Sequence, residues 1–395
     1  MMSGAEKRFR HEEDTVPRPV PSKHILLYAA SEADADVLYA TGFFAPDPFV
    51  FVRTASGRRI YVMSDLEIDR ARATSNAHRV LSMSHYTTMA KKRLRRTPAP
   101  GDIIAEILRD LRIRRVNVPS GFSTGVADRL RAHGIGVDAA EGSLFPERIR
   151  KRPDEVAHIV NAMRATEAGM QRAIDMLRRA RVKKGWVVLD GKKLTAEDVR
   201  RAANLEIFAR GCVPAHTIVA PGQHGCDPHD VGSGPIRAGE PVIIDIFPRS
   251  EKTGYFADIT RTVVKGRPRP RVREMYDAVL AGQRGALRMI KPGVVASDIH
   301  GAILALFEKR GFKTGNIDGR MQGFFHGTGH GLGLEIHEAP RIAMNDTRLE
   351  AGMVVTVEPG LYYAGIGGMR IEDTVLVTRT GMRNLTRFPK FLEIP

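Results

Sequence analysis

The sequence has little cysteine, few aromatic residues and no long hydrophobic run. Its 395 residues include 2 Cys and 1 Trp, and only 6% of them are Phe, Trp or Tyr. Cys212 and Cys226 form no CxxC pair, which excludes a disulfide framework and is typical of a reducing compartment. Since no apolar run approaches the roughly 18 residues that a membrane span needs, we expect a globular, cytoplasmic protein with no membrane partner.

Acidic residues are also scarce relative to basic ones. The chain has 61 Lys plus Arg against 45 Asp plus Glu, a formal net charge of +16. Such a charge raises the hypothesis of nucleic-acid binding. However, the basic clusters, among them KKRLRR from residue 91 and GRPRPRVR from residue 266, are scattered along the chain, without zinc-finger spacing or an aromatic RNA-binding signature. We interpret them as a solvated surface and predict no specific nucleic-acid partner.

The length of the chain predicts two domains, because a single hydrophobic core rarely organises so many residues. Residues 1–22 mix both charges with prolines and lack the apolar segment of a signal peptide, which predicts a disordered tail on a cytoplasmic protein. Between residues 23 and 150, short apolar segments such as HILLYAA and FVFVR alternate with helix-like stretches at 31–40, 101–111 and 123–133. This alternation predicts an α/β domain.

The second predicted domain, residues 151–395, follows a hinge in FPERIRKRPDE and has the same order of elements twice. Two predicted helices, 153–181 and 195–211, precede the strand-like segments HTIVA, EPVIIDIF and GYFADITRTVV. Two more, 271–290 and 297–311, precede GMVVTVEPG and GGMRIEDTVLVT. The repeat predicts a domain of two related halves with a site between them.

Acidic residues in these strand-like segments are candidates for a metal site. Asp245 and Asp258 lie among Ile, Val and Phe in two predicted strands of one hairpin, where uncompensated charge is costly, so each needs a cation or backbone donors. Glu358 ends the apolar run GMVVTV directly before a Pro-Gly turn, where a strand delivers a side chain to a cleft. Arg370 and Glu372 are two positions apart and would share one face of a strand, either as an ordinary ion pair or as parts of a site.

A histidine-rich loop supplies the remaining candidate ligand. FFHGTGHGLGLEIHE, residues 324–338, contains three histidines, and its repeated glycines disfavour a helix. Four carboxylates and one imidazole match two divalent cations, and this oxygen-rich set suits Mn²⁺, Co²⁺ or Zn²⁺. The sequence therefore favours a two-metal centre.

These motifs resemble a known family, the metallopeptidases of the creatinase, aminopeptidase P and prolidase group. The resemblance lies in DIFPRSEKTGYFADITRT, HGTGHGLGLEIHE, VEPGLY and GGMRIED, which contain, in order, Asp245, Asp258, His330, Glu358 and Glu372. It covers about 153–395 and, more loosely, the first domain through YATGF and the hinge. It implies an α/β protein whose α+β catalytic domain has the pita-bread fold of two pseudo-two-fold halves. A smaller creatinase-type α/β domain would precede it, in a homodimer.

The resemblance also implies a role for each candidate residue. Asp245 would be a terminal ligand of one metal, Asp258 and Glu372 would bridge both, and His330 and Glu358 would bind the other. Thr260 would orient a bridging carboxylate through its hydroxyl. The side chains expected to support catalysis or hold the substrate are His229, His326, His337 and Arg370.

The implied activity is hydrolysis of the peptide bond before proline, with two metal ions lowering the pKa of the attacking water. Glu358 could shuttle a proton, while His337 or His229 donates to the tetrahedral oxyanion. GTGHGLGLEIHE is similar to the corresponding segment of prolidases, which predicts an Xaa-Pro dipeptidase with Mn²⁺ as the first choice of metal. The alternative is an Xaa-Pro aminopeptidase that acts on longer peptides.

Two features depart from the family pattern. Asp245 and Asp258 are thirteen positions apart, two more than is usual in the family. Because strand side chains alternate with period two, we expect both aspartates to stay on one face. His229 is followed by Asp230, where the family has an aromatic or small residue.

Other interpretations fit the sequence less well. GFSTG from residue 121 matches the nucleophile elbow of serine hydrolases, but no HGGG segment accompanies it and Ser123 is suited to cap a helix. His326 and His330 have the spacing of a helical zinc pair, but no Glu follows His326. A non-catalytic pita-bread binding protein, or a metal-free enzyme that hydrolyses creatine, would lack some of the five ligands, all of which are present.

Overall fold

The computed structural model of the protein describes residues 23–395, and the predicted tail, residues 1–22, lies outside the described residues. The chain divides into two compact units, one ending at Leu144 and the other running from Phe145 to the C-terminus. This division falls before the predicted boundary at 150/151, because the 3₁₀ helix Pro146–Ile149 belongs to the second unit. Within residues 23–395, no helix combines the length and the apolar character that crossing a membrane requires.

The first unit is built around one mixed six-stranded sheet. Its elements are β1 (Ile25–Ala29), α1 (Ala35–Thr41), β2 (Phe49–Arg53), β3 (Arg59–Met63), α2 (Ile68–Thr74), β4 (Arg79–Ser82), α3 (Met83–Leu94), α4 (Pro100–Asp110), β5 (Arg115–Val118), α5 (Thr124–Ala132) and β6 (Gly136–Ala139). The strand order is β4-β3-β2-β1-β5-β6, with antiparallel pairs at the centre and parallel pairs on either side. The α/β prediction for this part of the chain is confirmed.

The first helix begins later than predicted. The expected start was Ser31, but α1 begins at Ala35, because Asp34 accepts a hydrogen bond from the Val37 backbone N–H at 2.8 Å and caps the helix there. The hydroxyl of Ser31 is buried and accepts a hydrogen bond from the Ala45 N–H at 2.7 Å. Ser31 therefore stabilises the loop before the helix, and Asp34 sets the helix start.

The second unit contains two long helix pairs and several sheets. After the 3₁₀ helix Pro146–Ile149, its elements are α6 (Pro153–Arg179), β7 (Arg181–Lys183), β8 (Trp186–Leu189), β9 (Lys192–Lys193), α7 (Ala196–Phe208), β10 (Cys212–Val213), β11 (Ile218–Pro221), a 3₁₀ helix (Gly222–Cys226), β12 (Pro241–Ile246), β13 (Arg249–Ser250), β14 (Ile259–Lys265), α8 (Pro270–Met289), α9 (Ala296–Lys309), β15 (Gly315–Ile317), β16 (Arg320–Gln322), β17 (Gly329–Gly331), β18 (Glu338–Ile342), β19 (Val354–Val357), β20 (Gly360–Tyr363), β21 (Gly367–Arg370), β22 (Asp373–Val377), β23 (Met382–Asn384) and β24 (Glu393–Ile394).

Each half of the second unit packs two helices on one sheet, as the repeated element order predicts. In the first half, α6 and α7 pack on the sheet β11-β12-β14-β24, with Ile174 and Ile244 in the shared core. In the second half, α8 and α9 pack on the sheet β18-β17-β19-β22-β23, with Ile303 and Val355 in the core. The prediction of two related halves is confirmed.

The strand-like segment GGMRIEDTVLVT is not one continuous strand. The segment forms two strands, β21 and β22, which break at Ile371 and Glu372. β21 pairs with β20, whereas β22 pairs with β19. At the break, the Glu372 N–H donates to the carbonyl oxygen of Thr260 on β14 at 3.1 Å. The chain therefore leaves one sheet for another at the residue that enters the site.

Candidate metal centre

Asp245 and Asp258 reach the site from one antiparallel hairpin. Asp245 lies on β12, whose six residues are all buried, and pairs with Thr260 of β14. Because Asp258 precedes Thr260 by two positions, strand alternation places all three side chains on one face. The two aspartates are buried, with 7% and 5% of their surfaces exposed.

The longer turn of this hairpin keeps the register of its strands. Ile246 pairs with Ile259, and a bridge joins Arg249 to Phe256 in the same register. The Ser250 N–H then closes the loop by donating to the carbonyl oxygen of Tyr255 at 2.9 Å. Since the register is unbroken up to the loop, the longer spacing leaves both aspartates on one face, as predicted.

The histidine-rich segment forms a strand in its middle, β17, between β18 and β19. A Cβ on Gly329 would lie 1.9 Å from the Thr356 carbonyl oxygen, and a Cβ on Gly331 would lie 2.2 Å from that of Ala339. Glycine is required at both positions because the neighbouring backbones come so close. His330, between them, is only 4% exposed.

Hydrogen bonding fixes the orientation of the His330 ring. Its Nδ1 lies 3.1 Å from the carbonyl oxygen of Gly331, so Nδ1 carries a proton and donates it. Nε2 then points to the carboxylates, 3.2 Å from Glu358 Oε1 and 3.7 Å from Asp258 Oδ2. In a neutral ring this tautomer presents the Nε2 lone pair to a cation.

Two glutamates complete the group of carboxylates. Glu358 directly follows β19, and its backbone N–H donates to the carbonyl oxygen of Thr328 at 2.7 Å. Glu372 accepts a hydrogen bond from the Thr260 hydroxyl at 2.8 Å through Oε2, so Thr260 orients this carboxylate. Potential ligand atoms that lie within 4.8 Å of one another come from Asp258, His330 and Glu372.

The site contains buried carboxylate oxygens that no protein group satisfies. Within residues 23–395, Asp245 Oδ1, Asp258 Oδ1 and Glu372 Oε1 are buried without a hydrogen-bond partner. Burial and repulsion by neighbouring carboxylates raise the pKa of Asp258 and of Glu372 well above ordinary values. Such charges are costly unless cations compensate them. Because carboxylate oxygens with one imidazole nitrogen suit Mn²⁺, Co²⁺ or Zn²⁺, these residues fit the binding of divalent cations.

One carboxylate has a cationic protein partner, and a short hydrogen-bond network extends from it. Arg370 donates to Asp245 Oδ2 at 2.6 Å through Nη2, and to the Tyr362 hydroxyl at 2.8 Å through Nη1. The Tyr362 hydroxyl lies 2.9 Å from His326 Nε2, while His326 Nδ1 donates to the Gly327 carbonyl oxygen at 2.8 Å. His326 is therefore a neutral ring that accepts from Tyr362, and burial lowers its pKa.

A cleft of about 660 Å³ opens onto these groups. The structure brings together in its lining every residue that the sequence analysis named as a metal ligand or as a substrate-handling group. These are His229, Asp245, Asp258, His326, His330, His337, Glu358, Arg370 and Glu372. Their assignment as ligands or catalytic groups stays a prediction.

Two of these histidines are exposed in the cleft lining. The ring of His337 packs edge-on against that of His330, with centroids 4.4 Å apart. Partial desolvation, His330 and Arg341 lower the pKa of His337 to about 4, so its ring is neutral at pH 7. His229 is exposed, and its backbone N–H donates to Asp227 Oδ1 at 3.0 Å.

The unusual residue after His229 has a local structural role. Asp230 Oδ2 lies 2.7 Å from His224 Nδ1, and its Oδ1 accepts a hydrogen bond from the Gly232 N–H at 2.8 Å. Asp230 therefore stabilises the loop that carries His229.

Two polar residues of the site, Tyr362 and Arg341, were not predicted from the sequence. Tyr362 reaches Arg370 because β20 pairs with β21, and no motif in GLYY indicates that pairing. Arg341 lies on β18, where its backbone pairs with that of His330. The available signal was short: Arg341 stands between the apolar residues Pro340 and Ile342. The apolar side chains of the lining were not predicted either; these are Ile218, Phe247, Phe325 and Ile336.

Comparison with known proteins gives a consistent result. Residues 157–379, more than half of the chain, match Metallopeptidase family M24. An Xaa-Pro dipeptidase of Pyrococcus furiosus is 42% identical over 173 residues, which are 43% of this chain and 47% of that relative. In sequence, the chain thus spans about half the length of the first curated relatives it matches.

Solved structures match most of the chain. The prolidase from Pyrococcus horikoshii OT3 gives a TM-score of 0.75 at 27% identity, over 94% of this chain and 95% of that one. An Xaa-Pro dipeptidase from Bacillus anthracis gives a TM-score of 0.79 at 25% identity, with the same coverage. The chain therefore belongs to metallopeptidase family M24 and has its pita-bread fold, preceded by the creatinase-type α/β domain.

Proposed function

We propose that the chain is a dinuclear-metal peptidase that hydrolyses the peptide bond before proline, with Xaa-Pro dipeptides as its substrates. The observation that carries the proposal is the set of buried carboxylate oxygens, unpartnered among the described residues, beside the buried imidazole of His330. Membership of family M24 and the similarity to Xaa-Pro dipeptidases support the same reaction and substrate class.

Five side chains would hold the two cations: Asp245, Asp258, His330, Glu358 and Glu372. The oxygen-rich set favours Mn²⁺, with Zn²⁺ or Co²⁺ as alternatives. When bound, the pair of cations would polarise the scissile carbonyl and lower the pKa of water toward 7. Thr260 and Arg370 would keep Glu372 and Asp245 in place through their hydrogen bonds.

Other groups of the chain would move or stabilise charge during hydrolysis. Glu358 lines the cleft with its Oε1 3.2 Å from His330 Nε2, and its carboxylate would shuttle the proton. His337 is neutral at pH 7 and can donate an N–H to the oxyanion, a type of contact often worth roughly 2.7 to 4 kcal/mol. His229, on the loop after β11, is a second donor to the substrate.

The cleft also offers a counter-charge for the carboxylate end of a dipeptide. Arg341 lines it and, within residues 23–395, forms no ion pair with an acidic side chain. A guanidinium that binds a carboxylate forms two charge-assisted hydrogen bonds. In a dipeptide the carboxylate is on the proline itself, so Arg341 would favour dipeptides over longer peptides. The apolar side chains of Phe325 and Ile336 would contact the proline ring.

A metal-reconstitution assay tests the proposal. Metal-free protein would receive Mn²⁺, Co²⁺ or Zn²⁺ and be assayed on an Xaa-Pro dipeptide, an Xaa-Pro tripeptide and a matched Xaa-Ala dipeptide. We expect cleavage of the Xaa-Pro dipeptide alone, strictly dependent on metal. Cleavage of the tripeptide would instead support an Xaa-Pro aminopeptidase, and metal-loaded protein inactive on all three would contradict the proposal.

The assignment of Arg341 has its own test. Arg341→Met should raise KM for the dipeptide roughly 10- to 100-fold, because a charge-assisted hydrogen bond is worth about 1.5 to 3 kcal/mol. Arg383→Met, which removes an arginine that does not line this cleft, is the control. Equal KM values for the two variants would refute the role of Arg341.

We further infer that the protein acts in the cytoplasm as a homodimer. The presence of only two cysteines, both free, supports a reducing compartment. Light scattering on purified protein checks the assembly, with a mass of twice 43.6 kDa expected. A mass of one chain would contradict the dimer.

A further inference from the structure

The segment between β17 and β18 carries two side chains of the cleft lining, Ile336 and His337. The glutamates on either side of this pair, Glu335 and Glu338, are not among the lining residues. They bind instead to the basic residues that precede α6. The ion pairs of Glu335 and Glu338 thus join the segment that carries Ile336 and His337 to the residues before α6.

The contacts of Glu338 are short and protected from water. Lys151 Nζ lies 2.5 Å from Glu338 Oε1, and Arg148 Nη2 lies 2.8 Å from Glu338 Oε2. The Lys151 side chain is 1% exposed and that of Glu338 is 9% exposed. Arg148 Nη2 also lies 2.8 Å from Oε2 of the more exposed Glu335. Because buried ion pairs are screened little by solvent, Glu338 has little freedom to move while both cations hold it.

The backbone around Lys151 is anchored independently of this ion pair. The Lys151 N–H donates to the carbonyl oxygen of Gly352 at 2.8 Å, and Arg150 forms a bridge with Met353. Lys151 therefore has a fixed backbone from which its side chain reaches Glu338. Removing the ammonium would leave Glu338 held by Arg148 alone, while the backbone at residue 151 stays in place.

We propose that Lys151 and Arg148 are positioning residues for His337. By holding Glu335 and Glu338 on the side away from the cleft, they fix the segment 335–338 and keep the His337 ring against His330. Neither cation touches the cleft, so both act through the segment alone. The inference rests on the proposed role of His337 as a donor to the substrate.

The main test compares Lys151→Met with Arg150→Met. Both variants remove one positive charge from adjacent positions, but Arg150 pairs at 3.3 Å with the exposed Glu350 and does not contact the segment 335–338. We expect Lys151→Met to lower kcat roughly 10- to 100-fold, the effect of a misplacement of about 1 Å, with KM and bound metal little changed. Arg150→Met should keep wild-type kcat. Equal kcat values for Lys151→Met and the wild type would overturn the proposal.

Non-additivity shows whether Lys151 acts through His337. The His337→Ala variant already lacks the proposed donor to the substrate, so adding Lys151→Met should lower kcat little further. An equal fold-change in both backgrounds would mean that Lys151 acts by another route. The double variant Lys151→Met with Glu338→Met also removes the buried carboxylate that has lost its ammonium partner, so its melting temperature should recover while kcat stays low. Recovery of kcat together with stability would assign the pair a purely structural role.

A measurement that needs no turnover separates this proposal from the proposed function. Diethyl pyrocarbonate modifies accessible neutral histidines, and mass spectrometry gives the rate at His337. We expect a rate several-fold higher in Lys151→Met than in Arg150→Met. If the wild type cleaves no Xaa-Pro peptide but this difference is present, the peptidase proposal fails and the positioning contact stands; equal rates refute the positioning.

Discussion

The carboxylates of the cleft do not share one electrostatic environment. Asp245 has the guanidinium of Arg370 at 2.6 Å, whereas Asp258 and Glu372 are surrounded mainly by other carboxylates. Repulsion of this kind favours the protonated form when no cation is bound. The charges that most need a metal are therefore those for which the family resemblance implies a bridging role.

The pH dependence of stability should report this imbalance. Because the pKa of Glu372 is raised in the folded state, the folded protein holds a proton that the unfolded chain releases above about pH 4, so metal-free protein loses stability as pH rises. The Glu372→Gln variant has no carboxyl group at this position, so its stability should fall less as pH rises. With a chelator present, the melting temperature of the variant should exceed that of the wild type by an amount that grows from pH 5 to pH 8. A constant difference would contradict the assignment of the raised pKa.

The network around Tyr362 predicts a moderate effect on catalysis. Tyr362→Phe removes a hydroxyl that accepts from Arg370 and donates to His326, so Arg370 loses one contact but keeps its bond to Asp245. We expect kcat/KM to fall about tenfold, with metal content unchanged, since such a hydrogen bond is worth about 1.5 kcal/mol. Tyr363→Phe is the matched control, because that hydroxyl donates to the carbonyl oxygen of Lys313. Equal kinetics in the two variants would contradict the network.

The acidic residues could be predicted from the sequence because they interrupt apolar strands, where a buried charge is costly unless a partner compensates it. Asp245 and Glu358 stand out in PVIIDIF and GMVVTVEPG for this cause alone. Tyr362 could not be found in this way, since tyrosine in a strand is ordinary. Its contact with Arg370 depends on strand pairing across a turn, which local sequence does not fix.

Among the elements of the site, β17 packs closely against both of its neighbouring strands. Gly329→Ala would place a Cβ against the Thr356 carbonyl oxygen on β19, which is backbone and cannot yield. We expect the free energy of unfolding to fall by about 1 to 3 kcal/mol, as for other overpacked sites. Gly301→Ala, in the open interior of α9, should raise it by up to about 1 kcal/mol. Urea denaturation measures both, and a neutral Gly329→Ala would contradict the tight packing of β17.

Helices and strands could be predicted where the sequence has a clear hydrophobic pattern. The amphipathic pattern of α6 and the apolar runs of the β12–β14 hairpin were sufficient to place these elements. The break at Ile371 and Glu372 was not predictable, because MRIEDTVLV has the composition of one strand. The hydrogen bonds between Glu372 and Thr260, 112 positions away, hold the chain where it changes sheet.

Both halves of the second unit contribute residues to the site. Asp245 and Asp258 come from the first sheet, whereas His330, Glu358 and Glu372 come from the second half. The unfolded chain cannot bring these groups together, so metal binding should stabilise the folded protein. At one hundred times the dissociation constant, each site contributes about 2.7 kcal/mol. We therefore expect Mn²⁺ to raise the melting temperature of the wild type, whereas an unchanged melting temperature would contradict a preformed site.

The number of metal ions bound per chain tests the central claim most directly. Protein loaded with Mn²⁺, passed through a desalting column and analysed by inductively coupled plasma mass spectrometry should contain two ions per chain. Asp258→Asn and Glu372→Gln, which remove the implied bridging carboxylates, should contain fewer than one. A wild type without bound metal, or two variants that retain both ions, would contradict the dinuclear centre.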